Sequence, residues 1–248
     1  MGRQAWLGAL VLVFAWTTTL HAQTKTALVI GIDEYHFGAD LRTPAADARA
    51  VARRLSALGF DTHLSINPTQ PQILTALARF RLASAEAQTT LIYVAGHGVR
   101  WRGDTYLLAS DTPFADGAGL IARSIPVPVL LAATSDKVRN KIVLVDACRD
   151  LPLARSALAE MSRVPMRTRG ATQAGSFVLY AAQLDGVAED GEGAHSPFAA
   201  SVLSALDRTT DLDGFARAVR AGVIARTRGA QIPWSESSML TTLDLAHQ

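Results

Sequence analysis

Apolar positions along the chain fall into two kinds of run. One kind is continuous and short: "TKTALVIGID" (24–33), "TTLIYVAGHG" (89–98), "KIVLVDAC" (141–148) and "SFVLYAAQ" (176–183). Each is bounded by glycines or polar residues, which marks a strand buried on both faces. The other kind repeats at helical spacing. In "LRTPAADARAVARRLSALGF" (41–60), Ala48, Val51, Leu55 and Leu58 share one face, and Gly59 with Phe60 forms a C-terminal cap. In "TQPQILTALARFRLASAEA" (69–87), Pro71 stands near the start and Ile73, Leu74, Leu77 and Phe80 line one face. "SPFAASVLSALD" (196–207) opens with Ser196 as N-cap and Pro197 at the first helical position. "LDGFARAVRAGVIARTRG" (212–229) is a basic amphipathic helix, and "VPVLLAATSD" (127–136) reads as a further helix.

Shorter strands are predicted at "DTHLSI" (61–66), at "DTYLLASD" (104–111) as a hairpin arm, and at "MLTTLDL" (239–245) as the last strand. Residues 112–125 and 150–175 carry little pattern and are predicted as loops. The second of these holds Arg155, Arg163, Arg167 and Arg169. "LDGVAEDGEGAH" (184–195) is an acidic, glycine-rich loop. Strands alternating with helices predict an α/β fold with a mostly parallel sheet. In such sheets ligands sit at the carboxyl ends of the strands. That rule selects His97 in "VAGHG", Asp146 and Cys148 in "LVDAC", and the segment after "YAAQ".

Composition narrows the classes. The chain has 248 residues, 49% of them hydrophobic and 19% charged, which fits one globular domain. Lys and Arg total 24 against 22 Asp and Glu, so the net charge of +2 offers no footprint for nucleic acid. At the N-terminus, Arg3 precedes the apolar "AWLGALVLVFAW" and the polar "TTTLHAQ". This pattern, with a small-residue site near Ala22, predicts a signal peptide over 1–22 and a single domain over 23–248. The expected location is outside the cytoplasm, periplasmic or secreted, with no stable membrane insertion once the signal is removed. The alternative is an uncleaved N-terminal anchor.

Export makes the cysteine count informative. Cys148 is the only cysteine, so it has no partner within the chain for a disulfide. A buried, inert thiol is one reading. The other is a nucleophile activated by His97, which lies just past a neighbouring strand end. An imidazole in reach takes the thiol proton and later delivers it to a leaving amine. Gly96 and Gly98 would let backbone approach a substrate, and an amide there could bind an oxyanion. His97 could instead merely cap its strand. A metal site of His97, Asp111, Asp146 and Cys148 is a weaker reading, because no close ligand pair supports it.

These blocks resemble the caspase-like peptidases, the group of caspases and metacaspases. "DACRD" with a histidine 51 positions upstream is similar to the caspase pattern of a cysteine motif and a histidine about 50 residues before it. "ALVIGIDEY", "LRTPAADARAVARRLSALGF", "LIYVAGHG", "KIVLVDACRD" and "LYAAQLDGVAEDGEGAHSPFAASVLSAL" resemble the family's blocks in order, across roughly 26–206. The resemblance implies a caspase-like three-layer sandwich with a mostly parallel central sheet flanked by helices. It implies His97 as base, Cys148 as nucleophile, and the amides of Gly98 and Cys148 as oxyanion hole. It also implies that Asp146 and Asp47 line the substrate pocket, with Ala95 where metacaspase-like members often have serine. Two carboxylates in one half-buried pocket repel each other, and a guanidinium or ammonium relieves that cost. Protein or peptide substrates cut after Arg or Lys are therefore expected.

Departures from the pattern and open alternatives accompany this. Asp47 could instead be the N-cap of its helix, and Asp146 a turn residue. Arg42 could neutralise the pocket or point to solvent. Arg149 and Asp150 replace the usual small residues after the nucleophile, and Arg163, Arg167 or Arg169 could be self-cleavage sites. No cofactor is expected. Some family members need calcium, but Asp185, Glu189, Asp190 and Glu192 match no defined calcium loop and read better as solvated. The rival functional class is a catalytically silent caspase-like binding or regulatory module.

Overall fold

The computed structural model of the chain describes residues 24–114, 117–147, 173–183, 193–208, 211–240 and 242–244. The predicted signal peptide, Cys148, most of the arginine-bearing loop and the acids from 184 to 192 lie outside the described residues.

The four continuous apolar runs are adjacent strands. They are β1 (Lys25–Gly31), β3 (Thr89–Gly96), β7 (Asn140–Ala147) and β8 (Ser176–Tyr180). With β2 (Phe60–Ile66) and β9 (Trp234–Ser237) they form a six-stranded sheet in the order β2-β1-β3-β7-β8-β9. All pairings are parallel except β8 with β9. A second sheet, of β4 (Gly98–Trp101), β5 (Asp104–Leu108) and β6 (Ser124–Pro126), is antiparallel.

Residue parity divides the large sheet into two faces. On one face Ala27, Val29, Leu91, Tyr93, Ala95, Ile142, Leu144, Phe177 and Leu179 share a core with α1 (Pro44–Ala57), α5 (Pro197–Leu206) and α6 (Leu212–Arg226). On the other, Leu28, Ile30, Ile92, Val94, Val143, Val145 and Val178 meet α2 (Gln70–Ala83), α3 (Gly117–Ala122), α4 (Val127–Ala132) and the small sheet. Burial on both faces is why the sequence shows no alternation. Each fully buried aliphatic or aromatic side chain contributes about 1.5–3 kcal/mol relative to exposure. The architecture is the expected mostly parallel α/β sandwich.

The helix starts follow their sequence signals. Thr69 and Gln72 close a capping box on α2, with Gln72 Oε1 accepting from the Thr69 amide at 2.8 Å. Ser196 caps α5, its hydroxyl accepting from the Ala199 amide at 2.9 Å. Gly59, at φ 83°, ends the turn after α1 as expected.

Three expectations are corrected. The stretch 112–125 holds α3 and the start of β6, a helix too short to display a helical period in sequence. Among the described residues the last strand is Trp234–Ser237, and within the predicted 239–245 strand the described Asp244 makes an isolated bridge to Asp211. Leu74 is 47% exposed, while Ile73, Leu77 and Phe80 form the buried face of α2.

Candidate active site

The register of β3 with β7 organises the site. Ala95 pairs with Asp146, and Gly96 with Ala147. The residues next in sequence are His97 and Cys148, and Cys148 itself lies outside the described residues.

His97 is held from three directions. Its Nε2 lies 2.8 Å from the Ala39 carbonyl in the β1–α1 connection. A carbonyl only accepts, so Nε2 carries the proton of the neutral ring and Nδ1 is the nitrogen that can take one. The His97 amide donates to the Tyr35 hydroxyl at 2.7 Å, and that hydroxyl donates to the Ile32 carbonyl at 3.2 Å. The imidazole also lies 4.7 Å from the Tyr35 ring and 5.5 Å from the Phe114 ring, centroid to centroid. Gly96 makes the Tyr35 contact possible. At φ 152°, a Cβ there would stand 2.7 Å from the Tyr35 oxygen.

The connection that brings Ala39 to the histidine is itself tied down. The Ile32 amide donates to the Ala95 carbonyl at 2.9 Å, and the Asn67 side chain accepts from the Asp33 amide at 2.9 Å. The Tyr35 amide donates to Asp40 at 2.9 Å, closing the turn that carries Ala39. Gly98 opens β4 opposite Leu107, and the His97 carbonyl accepts from the Leu108 amide at 2.9 Å. The small sheet thus grips the chain on the far side of the histidine.

The acidic residues meet on the α1/α5 face. Asp146 has the parity of Ile142 and Leu144, so it points towards α1 and α5. Its Oδ2 accepts from the Tyr93 hydroxyl at 3.1 Å and from the Ser196 hydroxyl at 2.6 Å. Asp47 lies in the first turn of α1, four residues past the cap Thr43, and is not itself the N-cap. Its Oδ1 is 2.6 Å from His195 Nδ1 and its Oδ2 accepts from the Ser196 amide at 3.2 Å. One residue, Ser196, therefore bridges both carboxylates while capping a helix.

Asp47 is 1% exposed and Asp146 7%. Burial raises the Asp47 carboxyl above its ordinary range, opposed by the Ser196 amide, His195 and Thr43. Burial, together with the neighbouring Asp146 and Asp47, also holds the Tyr93 phenol well above its usual value. Tyr93 is thus a fixed donor to Asp146 at neutral pH.

The predicted site residues divide as follows. His97, Asp47, Asp146, Ala95 and Gly98 all lie at or beside the carboxyl ends of β3 and β7, with Asp47 reaching in from α1. Ala95 is buried in the core, its methyl beside Tyr93 and not at the surface. Arg42 is exposed. Asp111 is engaged elsewhere, accepting from the Gln70 amide at 2.8 Å and pairing with Arg123 at 3.4 Å. Among the described residues no group of three or more His, Cys, Asp or Glu is arranged to hold a metal ion.

Sequence reasoning passed over Tyr35, Ala39, Tyr93 and His195. Tyr93 alone left a readable trace, as a polar tip in an apolar run at the parity of the residues facing α1.

A parallel α/β sandwich with a histidine at one strand end and a carboxylate at the next places the candidate site at the sheet's carboxyl edge. The family model for the caspase domain matches residues 24–244, and the chain belongs to that family, one of cysteine peptidases. The fold is also shared with a solved structure, protein GSU0716 from Geobacter sulfurreducens. The two are 16% identical, with a TM-score of 0.64 over 89% of this chain and 93% of that one. No curated protein matches this chain.

Proposed function

We propose that the protein is a cysteine endopeptidase with a His97–Cys148 dyad, cleaving after Arg or Lys. The observation that carries this reading is the orientation of His97. Its Nε2 is anchored on the Ala39 carbonyl, in a strand pair whose next residues are His97 and Cys148. The anchored proton leaves Nδ1 as the base and steadies the imidazolium once it forms. In the cycle, His97 takes the proton of the Cys148 thiol and the sulfur attacks the scissile carbonyl. The amides of Gly98 and Cys148 bind the oxyanion. The C–N bond breaks as His97 hands its proton to the leaving amine, and water then hydrolyses the thioester.

The preference for basic substrates is supported by two carboxylates joined through Ser196 beside the dyad strand. Asp146, on β7, is the nearer of the two to the nucleophile in sequence, and Asp47 stands behind it on α1. No cofactor is required in this cycle. The protein acts outside the cytoplasm on protein or peptide substrates. Among the described residues no helix is long and apolar enough to cross a membrane.

The test is cleavage of a peptide library by the full chain, alongside Cys148→Ala and Asp146→Gln. Loss of all cleavage in Cys148→Ala and loss of the Arg/Lys preference in Asp146→Gln are expected. Undiminished cleavage by Cys148→Ala would remove the thiol from the mechanism. A silent binding module would cleave nothing, and its Cys148 would alkylate slowly at every pH.

A further inference from the structure

The acidic cluster includes a histidine. His195, in the segment leading into α5, sets its Nδ1 2.6 Å from Asp47 Oδ1, and its side chain is 32% exposed against 1% for the carboxylate it covers. The residue after it, Ser196, joins Asp47 to Asp146 through its amide and its hydroxyl. The ionisable groups in this cluster are therefore Asp47 from α1, Asp146 from β7, Tyr93 from β3 and His195 itself. Tyr93 stays neutral, so the charge that the pocket offers is set by two carboxylates and one imidazole.

We propose that His195 is a specificity-determining residue: it is the counter-cation of Asp47, and it limits how strongly the pocket prefers a positively charged side chain. This rests on the reading of the pocket as the site for Arg or Lys.

The effect is electrostatic. A charged imidazole offsets one of the two carboxylates, leaving a single negative charge for the substrate's guanidinium or ammonium. It also holds Asp47 Oδ1, the oxygen that a bidentate guanidinium would need. A substrate cation gains Asp47 only by sharing it with His195 or displacing it. A neutral donor in that place would keep the hydrogen bond and return the charge to the pocket. A permanent cation would keep it offset. One unit charge a few ångströms away, beside these buried carboxylates, changes a cation's binding by at least about tenfold.

The test uses two fluorogenic peptides that differ only before the scissile bond, Arg in one and the uncharged isostere citrulline in the other. The ratio of their kcat/KM values is measured at about pH 6. His195→Asn should raise the Arg-to-citrulline ratio about tenfold, and His195→Lys, which keeps a cation in that place, should leave it near that of the unaltered protein. A purely structural role would change both peptides' rates together and leave the ratio fixed in both variants, which would overturn the proposal.

Equal cleavage of the two peptides by the unaltered protein would sink the basic-substrate reading instead. His195 is then judged by a second readout, the imidazole N–H proton resonance in the Cys148→Ala protein. A strongly downfield signal that moves upfield in Asp47→Asn supports the counter-cation role. The same signal unmoved overturns it.

Discussion

Ser196 is the residue on which the acidic cluster turns, and replacing it with alanine separates the cluster's interactions quantitatively. The hydroxyl accepts from the Ala199 amide at 2.9 Å and donates to Asp146 at 2.6 Å. Losing the helix cap costs about 1 kcal/mol. Losing a hydrogen bond to a charged, buried acceptor costs about 1.5–3 kcal/mol. Ser196→Ala should therefore lower stability by about 2.5–4 kcal/mol, a large part of the ~5–15 kcal/mol typical of a domain. Ser196→Gly, which keeps the cap to within a few tenths of a kcal/mol, should recover the smaller share only.

Urea unfolding measures this directly. At a slope near 3 kcal/mol per molar, the alanine variant's midpoint should fall by about 1 M. A double-mutant cycle of Ser196→Ala with Asp146→Ala isolates the link between the two side chains. Its coupling energy should be about 1.5–3 kcal/mol. A coupling under about 0.5 kcal/mol would show that the short contact contributes nothing specific. The account of Asp146 as an acceptor fixed by its neighbours would then fail.

Three further outcomes follow from the same geometry. Tyr35→Phe removes the hydroxyl that holds the His97 amide, and kcat/KM should drop about tenfold while KM changes little; a drop confined to KM would contradict the positioning role. Gly96→Ala puts a Cβ 2.7 Å from the Tyr35 oxygen at φ 152°, so its activity should fall further than that of Tyr35→Phe, and the double variant should recover part of the loss; no recovery would mean that backbone strain alone is responsible. The folded protein binds the Asp47 proton more tightly than the unfolded chain does, so stability is lost as pH rises from 3.8 through the raised value. Asp47→Asn cannot ionise, and its urea midpoint should decline less steeply over that range; parallel declines would refute the burial argument.

The sheet was legible in the sequence because its inner strands are buried on both faces. Such strands read as continuous apolar runs, and β1, β3, β7 and β8 were all found this way. Of their order only the adjacency of the strands ending at His97 and Cys148 was read, and that from the chemistry of those two residues. Strand order depends on contacts between segments such as Ala95 and Asp146, 51 positions apart, and no local period encodes these. The error at the C-terminus has the same origin. "MLTTLDL" has the composition of a strand, but the backbone partners on β8 are taken by Trp234–Ser237. A β-rich composition gives a segment the ability to pair and not the place to do so.

The site was legible to the extent that its residues are chemically conspicuous. His97 and Asp146 stand out as polar residues at the ends of apolar runs. The residues that orient them do not stand out, because they act through groups that every residue type carries or through ordinary core side chains. Ala39 contributes only its carbonyl, Ser196 contributes its amide as well as its hydroxyl, and Tyr93 occupies a core position. His195 was hidden by its setting in an acidic, glycine-rich stretch whose composition reads as solvated loop.

Two orienting devices serve the two strand ends, and they come from different elements. The histidine is set by the β1–α1 connection, through Ala39 and Tyr35. The carboxylates are set by the start of α5, through Ser196 and His195. Asp47 on α1 ties these together, since the helix that begins just after the Ala39 turn ends its first turn against the α5 cap. Changes near Ser196 should therefore alter substrate preference before they alter the chemistry of His97. Changes at Tyr35 should do the reverse. If the proposed activity holds, preference and rate should separate along the chain, because different connections hold the carboxylates and the histidine.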